Sequence, residues 1–179
     1  MDQTDIDRLK FLERVREYGL KCHRETNHMY AGYLPYEFHL RMVEKYCETF
    51  KKLIPAEDMD IVWAACWLHD VMEDCRQSFN DVRDNTNEQI AEIVYAVTNE
   101  KGRTRKDRAN EKYYQGIKNT KYATFVKLCD RLANVQYSHL VKSDMIRKYR
   151  TEQEYFQYCL QHGSDYSQMW TELNALLTR

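Results

Sequence analysis

The sequence predicts an all-α fold, and three observations support that prediction. Only five glycines and two prolines occur in 179 residues, which leaves few positions for turns. Apolar residues recur every three or four positions along nearly the whole chain, as expected for one face of a helix. Contents of 43% apolar and 31% charged residues are typical of a globular chain. Because no repeat, linker or low-complexity tract interrupts the pattern, we expect a single domain over residues 1–179.

The N-terminal half of the chain predicts three helices. The first runs from about residue 4 to 26 and is broken by the segment HMYAGYLP. The second runs from about 36 to 54, and Pro55 can open the next turn. The third, from about 57 to 75, contains the apolar run IVWAACWL and ends in the polar segment HDVMED.

The C-terminal half predicts further helices. TNEQ at 86–89 has the pattern of a capping box and precedes an apolar helical face that ends near Val97. The basic segment KGRTRKDR is interpreted as a loop or a frayed helix start, whereas ANEKYYQGIKN and YATFVKLCDRLANVQYSHLV each predict a helix. Ser143 can cap a helix that reaches about 162, Gly163 can end it, and a last helix follows.

Charge and hydropathy exclude several classes of protein. The formal net charge of −1 provides no field that would attract nucleic acid or a membrane surface, so neither is expected as a partner. No apolar run approaches the roughly 20 residues that span a bilayer. The acidic N-terminus MDQTDIDRLK is unlike a signal peptide, and the six cysteines form no C-x-x-C motif. We therefore expect a cytoplasmic protein with free thiols.

The segment WLHDVMEDC places ionisable side chains at the end of a core helix, where an unpartnered charge is costly. On a helix, the adjacent His69 and Asp70 point about 100° apart, and Glu73 and Asp74 lie one turn further along. This segment can therefore offer an imidazole and a carboxylate to a metal ion, with a second carboxylate pair a turn away.

Two further residues could complete a metal site. His39 shares an apolar helical face with Val43, where a lone histidine is more often a satisfied core residue. Asp130 lies on the apolar face of VKLCDRLANV and needs a strong partner there. Two imidazoles and two carboxylates suit a divalent ion such as Mn²⁺, and such an ion acidifies water and polarises a phosphoryl oxygen.

The order H…HD…D resembles that of the HD-domain metal-dependent phosphohydrolases. The segments PYEFH, WLHDVMEDC, VYAVTNEK and VKLCDRLANV more closely resemble the hydrolase domain of the RelA/SpoT family and its small stand-alone relatives. The resemblance implies an HD-domain helical bundle, one Mn²⁺ and removal of the 3′-pyrophosphate from guanosine tetra- or pentaphosphate. It assigns four residues as metal ligands: His39, His69, Asp70 and Asp130. It assigns Glu73 and Asp74 to positioning and activating the attacking water.

The substrate-binding residues follow from the same resemblance. Asn134, one helical turn from Asp130, matches the asparagine that faces the nucleotide. The adjacent Arg131 either binds substrate or is a surface charge paired with an acid. His28 stands where the family tends to have an arginine beside the purine, and Arg24 or Tyr30 could substitute for it. In addition, Leu40 replaces the proline that usually follows the first metal histidine, and the segment between His23 and His39 is about two residues longer than the usual pattern.

Two alternative functions remain open at this stage. The same metal fold could act on another nucleotide, such as NADPH or a deoxynucleoside monophosphate, or the chain could be a non-catalytic nucleotide-binding module. The retained pair Glu73 and Asp74 argues against a pure binder, which has little need of water activation. A basic cluster has two interpretations, a phosphate clamp or a solvated loop. Its members are Lys101, Arg103, Arg105, Lys106 and Arg108.

Overall fold

The computed structural model describes residues 2–179 and confirms the all-α prediction. The helices are α1 (Gln3–Glu25), α2 (Glu37–Thr49), α3 (Met59–Leu68), α4 (Val71–Asp74), α5 (Phe79–Asn85), α6 (Glu88–Val97), α7 (Arg105–Arg108), α8 (Glu111–Asn119), α9 (Ala123–Leu140), α10 (Met145–Leu160) and α11 (Ser167–Thr178). Within these residues, the strands are β1 (Met29–Tyr30) and β2 (Leu34–Pro35), which pair antiparallel. No helix in residues 2–179 is long and apolar enough to cross a membrane.

Helix α9 lies at the centre of the bundle. It packs against α2, α3, α6, α8, α10 and α11, which explains why its sequence is apolar on most of its surface. Polar residues on such a helix are buried by their position, and Asp130 and Arg131 are both less than 10% exposed. The central position of α9 therefore places these two charged side chains where they need partners.

Helices α1, α2 and α3 pack against one another on one side of α9. A Cβ atom at Gly19 would lie 2.9 Å from the carbonyl oxygen of Trp67, so only glycine allows α1 to approach α3 this closely. Leu40 is completely buried against Leu20, Tyr36 and Trp67. The residue that follows His39 is therefore a core residue that anchors the first turn of α2.

The helix predicted over 57–75 is interrupted, which corrects the sequence-based expectation. Helix α3 ends at Leu68 and α4 begins at Val71, with His69 and Asp70 in the turn between them. A continuous helix would direct these two side chains about 100° apart. In the turn, Nε2 of His69 instead lies 2.8 Å from Oδ2 of Asp70. The interruption thus directs both side chains toward one point.

Several helix ends also differ from the prediction. Asn87 rather than Thr86 caps α6, since its side chain accepts a hydrogen bond from the backbone N–H of Ile90. Thr86 instead follows α5, a helix that the apolar pattern did not predict and that begins at a capping box formed by Ser78 and Asp81. The second predicted helix ends earlier, at Thr49, and is followed by two single 3₁₀ turns.

The segment HMYAGYLP forms a small hairpin instead of an irregular break. Ala31 and Gly32 at its tip have φ angles of 53° and 82°, the left-handed region that permits the tight reversal. The hairpin carries Tyr30 over His39, and the two rings stack with centroids 4.7 Å apart. It therefore covers one side of the predicted metal residues.

Candidate active site

Four side-chain atoms from three parts of the bundle converge on one point. Nε2 of His39, in the first turn of α2, lies 3.2 Å from Nε2 of His69 and 3.3 Å from Oδ1 of Asp130. Oδ2 of Asp70 lies 2.8 Å from Nε2 of His69 and 3.8 Å from Nε2 of His39. Two nitrogens and two carboxylate oxygens at this spacing match the donor set of a divalent transition ion.

The tautomer of His69 suits metal binding. Nδ1 of His69 lies 2.8 Å from the backbone carbonyl oxygen of Cys66, so it carries the proton and donates it. The lone pair of Nε2 is then directed toward the cluster, as is usual for a metal-bound histidine. Nδ1 of His39 is buried and has no hydrogen-bond partner within residues 2–179. The stacked ring of Tyr30 holds this second imidazole in place.

Each carboxylate is also oriented by a neighbour. The hydroxyl of Tyr36 donates to Oδ2 of Asp70. Nζ of Lys127 donates to Oδ2 of Asp130 at 2.9 Å, and the side-chain amide of Asn134 donates to Oδ1 of the same carboxylate. These contacts restrict the carboxylate in the turn between α3 and α4 and the carboxylate in the middle of α9, so the donor set is preorganised.

The pKa values show how the cluster balances its charge without a metal. Burial acts to lower the pKa of His69, but Asp70 and Asp130 hold it well above its usual value. Burial acts to raise the pKa of Asp130, but Lys127, His39 and His69 hold it well below its usual value. The metal-free cluster therefore keeps a proton on His69 between two ionised carboxylates. A divalent cation would replace that proton, so the residues present fit a metal ion.

Glu73 and Asp74 lie beside this cluster on α4. The Glu73 carboxylate accepts hydrogen bonds from the backbone N–H of Asn99 at 3.2 Å and from its side-chain amide at 2.9 Å. Partial burial, together with the charges of Asp70 and Glu73, raises the pKa of Asp74 to about 7. One carboxylate is thus held in a fixed orientation, and the other can exchange a proton near neutral pH.

A cavity of about 810 Å³ opens above the cluster, a volume that suits a nucleotide-sized ligand. Its floor includes Asp70, Asp130 and the pair on α4. Five aromatic side chains line another part of it: Tyr113, Tyr114, Tyr149, Tyr155 and Phe156. The cavity is therefore lined by carboxylates and by aromatic side chains.

Part of the basic cluster in 101–108 faces this cavity. Thr104 and Asp107 form a capping box that starts α7, and this one-turn helix directs Arg105, Lys106 and Arg108 to the cavity wall. Arg105 is held by Glu152, with Nε and Oε1 2.6 Å apart. Lys106 and Arg108 have no carboxylate within ion-pair distance in the described part of the chain. They leave two positive charges available at the cavity.

The predicted substrate-binding residues fall into different places. Arg131 lines the cavity, but it is buried instead of lying on the surface, beneath Tyr149 and Phe156 and paired with Glu152 at 2.9 Å. Arg131 is thus paired with an acid, as one of its two interpretations expected, but it is buried and does not lie at the surface; its contact with substrate stays a prediction. Asn134 also lines the cavity and accepts a hydrogen bond from the Tyr30 hydroxyl at 2.9 Å.

Arg24 lies elsewhere. It lines a separate, smaller cavity and pairs with Glu37 at 3.7 Å. Its contribution to substrate binding stays a prediction.

Three residues of the site were not predicted from the sequence. Lys127 is three positions before Asp130, a spacing that brings two side chains together on a helix and that could have revealed the pair. Asn99 contacts Glu73 across 26 positions, and Tyr36 contacts Asp70 across 34. These two contacts have no local sequence signal because they depend on how the helices pack.

Comparisons with known proteins agree with this arrangement. The chain is an all-helical protein in which two histidines and two aspartates converge on one point. Residues 36–135 match the family described as HD domain. Since this match covers more than half of the chain, the protein belongs to the HD domain family. A solved structure is described as a metazoan ortholog of SpoT that hydrolyzes ppGpp and plays a role in starvation responses. It shares 22% sequence identity with this chain over 94% of each chain, with a TM-score of 0.72. The likeness establishes a common fold and confirms the predicted HD-domain helical bundle.

Proposed function

We propose that this protein is a metal-dependent phosphohydrolase that removes the 3′-pyrophosphate of guanosine tetra- or pentaphosphate. The observation that carries the proposal is the convergence of His39, His69, Asp70 and Asp130, of which the two aspartates line a cavity that also has basic and aromatic side chains. A metal donor set suits phosphoryl chemistry, basic residues suit a highly anionic substrate, and aromatic rings suit a nucleoside. The description of the similar solved structure supports the same substrate class.

The proposed metal ion is Mn²⁺, held by the four converging residues. When bound, a divalent ion there polarises a phosphoryl oxygen and lowers the pKa of water. The mixture of two imidazoles and two carboxylates favours an ion of intermediate hardness over Mg²⁺ or Ca²⁺, which prefer oxygen ligands alone. Lys127, Tyr36 and Asn134 act as positioning residues, since each hydrogen-bonds to an aspartate of the set.

Glu73 and Asp74 are assigned complementary roles in handling the attacking water. Asn99 fixes both oxygens of the Glu73 carboxylate, so this group orients the water and accepts its hydrogen bond. Asp74 has a pKa of about 7 in the metal-free chain, which suits a group that takes up and returns a proton near neutral pH. Glu73 thus holds the water, while Asp74 takes up its proton and can return a proton to the ribose 3′ oxygen that leaves when its bond to phosphorus breaks.

The remaining walls of the cavity are assigned to substrate binding. Lys106 and Arg108 complement the phosphates, since no carboxylate among the described residues lies within ion-pair distance of either. Arg131 has one guanidinium nitrogen on Glu152 and two aromatic rings over it, so it supports the wall next to Asp130. Asn134 and Tyr30 stabilise the junction of α9 and the hairpin, and their predicted contact with the nucleoside is part of this proposal.

The products of hydrolysis test the proposal. With guanosine 3′,5′-bis(diphosphate) and Mn²⁺, we expect GDP and intact pyrophosphate, because attack at the 3′ α-phosphorus releases both phosphates together. Anion-exchange chromatography of the reaction separates these products from orthophosphate and from the guanosine nucleotide with three phosphates that loss of one terminal phosphate would leave. Orthophosphate as the first product would place attack at the terminal phosphorus and contradict the proposed geometry.

A second candidate substrate is another phosphorylated nucleotide, such as NADPH or a deoxynucleoside monophosphate. One observation favours it: Arg24, the predicted substitute for the family arginine beside the purine, lines a different cavity and pairs with Glu37. A phosphate-release panel with Mn²⁺ distinguishes the two candidates. Turnover of NADPH or a deoxynucleotide without turnover of the guanosine tetraphosphate would favour the second.

A further inference from the structure

A second group of metal-ligating side chains lies outside the site described above. It consists of His23 in the last turn of α1, His28 just before β1 and Cys75 directly after α4. Nδ1 of His23 lies 3.0 Å from Nδ1 of His28 and 3.1 Å from Sγ of Cys75. His23 and Cys75 are buried, and His28 is partly buried.

Hydrogen bonding does not fully explain this arrangement. Nδ1 of His23 has either one proton or one lone pair, yet both His28 and Cys75 face it. The other ring nitrogen of His23 is buried and has no partner within residues 2–179. Buried polar atoms in folded proteins nearly always have partners, so three ligand atoms that converge this closely require a further explanation.

We propose that His23, His28 and Cys75 form a second metal site, which takes a thiophilic divalent ion of the zinc class. Two imidazoles and a thiolate supply three corners of a tetrahedron, the ligand set that zinc and cobalt prefer over manganese. A cavity of about 190 Å³, lined by both histidines, leaves room for water at the fourth corner. The Asp74 carboxylate lies on the side of the other ring nitrogen of His28, at 3.8 Å, which is beyond hydrogen-bond distance.

The position of the site suggests what a bound ion would do. It would connect the end of α1, the hairpin segment and the end of α4, three segments that are not neighbours in the chain. Tyr36 stacks on both His23 and His28 with centroids 4.1 Å apart, and its hydroxyl donates to Asp70. The ion would therefore hold the support of Asp70 in place without touching the substrate cavity. This inference does not depend on the proposed catalytic function.

An anaerobic titration of the metal-free protein with Co²⁺ tests the proposal, because thiolate ligation produces a charge-transfer band in the near ultraviolet. We expect two ions per wild-type chain and a thiolate band. Cys75→Ser should lose the band while still binding Co²⁺ at the four-residue cluster. The matched control is Cys159→Ser, which removes a partly buried thiol far along the chain in α10 and should keep the band. Asp130→Ala should weaken the first site and leave the band unchanged.

A second variant and a second measurement guard against misfolding. His28→Gln alters a partly buried side chain, so the circular dichroism spectrum should stay that of wild type while the thiolate band weakens. In the Asp130→Ala background, Zn²⁺ at about 100 times its Kd should raise Tm by about 5–10 °C, and adding Cys75→Ser should abolish the shift. A single ion per wild-type chain without a thiolate band, or equal band intensity in Cys75→Ser and wild type, would overturn the proposal.

Discussion

The two walls of the large cavity hold their charged side chains in different ways. In the metal wall, formed by α2, the α3–α4 turn and α9, His39, His69 and Asp130 are less than 10% exposed and lie within 3.7 Å of one another. In the basic wall, α7 is a single turn whose Lys106 is exposed and has no carboxylate partner in residues 2–179. The metal wall is built by the core of the bundle, and the basic wall rests on local capping.

This difference implies different functions for charge. A buried charge without a counter-charge is costly, so the metal wall is stable only with a proton or a cation among its carboxylates. An exposed charge costs little and gains little from any one partner, so the basic wall can bind and release phosphates. We therefore expect substitutions in the metal wall to abolish activity and substitutions in the basic wall to alter substrate affinity.

The largest effect is expected for Asp130→Ala. It removes one metal ligand and leaves Lys127 buried without its counter-charge, so bound Mn²⁺ should fall from about one ion per chain to nearly none. Hydrolysis should fall by about 10³-fold or more. Elemental analysis and product assays measure both effects. Asp144→Ala, at an aspartate that is 90% exposed, is the matched control and should leave both quantities unchanged. Full Mn²⁺ content in Asp130→Ala would remove this residue from the ligand set.

Glu73→Gln separates metal binding from chemistry. The substitution is nearly isosteric and Asn99 can still hydrogen-bond to the side chain, so fold and Mn²⁺ content should be retained. Because a neutral amide is a weaker hydrogen-bond acceptor than a carboxylate and cannot take up a proton, kcat should fall by about 10²-fold. Glu92→Gln, on the exposed side of α6, is the control. Equal kcat in wild type and Glu73→Gln would show that this carboxylate has no part in the mechanism.

The sequence predicted the two walls to different extents, because the core of the bundle builds the metal wall whereas local capping holds the basic wall. Asp130 was identified because an aspartate on an apolar helical face needs a strong partner, and that signal is local. A lone histidine at the position of His39 is more often a satisfied core residue, so His39 was assigned only together with the rest of the H…HD…D pattern. The interruption at His69 and the contact of Glu73 with Asn99 were not predicted, because they depend on packing between segments that are distant in the chain. A local signal for α7 existed, since Thr104 and Asp107 have the spacing of a capping box.

The orientation of α7 toward the cavity could not be predicted from the sequence. Nothing in its composition indicates that Arg105 meets Glu152, 47 positions away, and thereby faces the cavity. Sequence patterns thus revealed residues that the core must accommodate, whereas the side chains that tertiary packing brings to the cavity required the structure.

A smaller effect is expected in the basic wall. Lys106→Gln and Arg108→Gln should each raise KM for a tetraphosphate substrate by about 3–10-fold, since a partly exposed ion pair contributes about 1 kcal/mol. The kcat should change by less than about twofold if these residues stabilise the bound substrate and the transition state equally. Arg103→Gln, an exposed residue that does not line the cavity, is the control. A loss of kcat at constant KM would instead assign the basic wall to the transition state and break the proposed division between the walls.

The smallest effect concerns Asp74, which lies between the two walls. Its side chain is 35% exposed, yet burial and the charges of Asp70 and Glu73 raise its pKa to about 7. A carboxyl group with a raised pKa binds more protons in the folded than in the unfolded state, so the metal-free protein should lose stability as the pH rises from about 4 to about 7.

Asp74→Asn removes this contribution, because an amide stays neutral. The difference between the free energies of unfolding of the variant and of wild type should therefore increase, in favour of the variant, as the pH rises over this range. The expected increase is about 1 kcal/mol after allowance for solvent screening. Urea unfolding of the metal-free proteins at several pH values measures the difference, with Asp144→Asn, at a side chain that is 90% exposed, as the control. A difference that is constant from pH 4 to 7 would mean that Asp74 ionises like a surface carboxylate. Its charge would then be solvated like the charges of the basic wall, and another group would have to accept the proton near neutral pH.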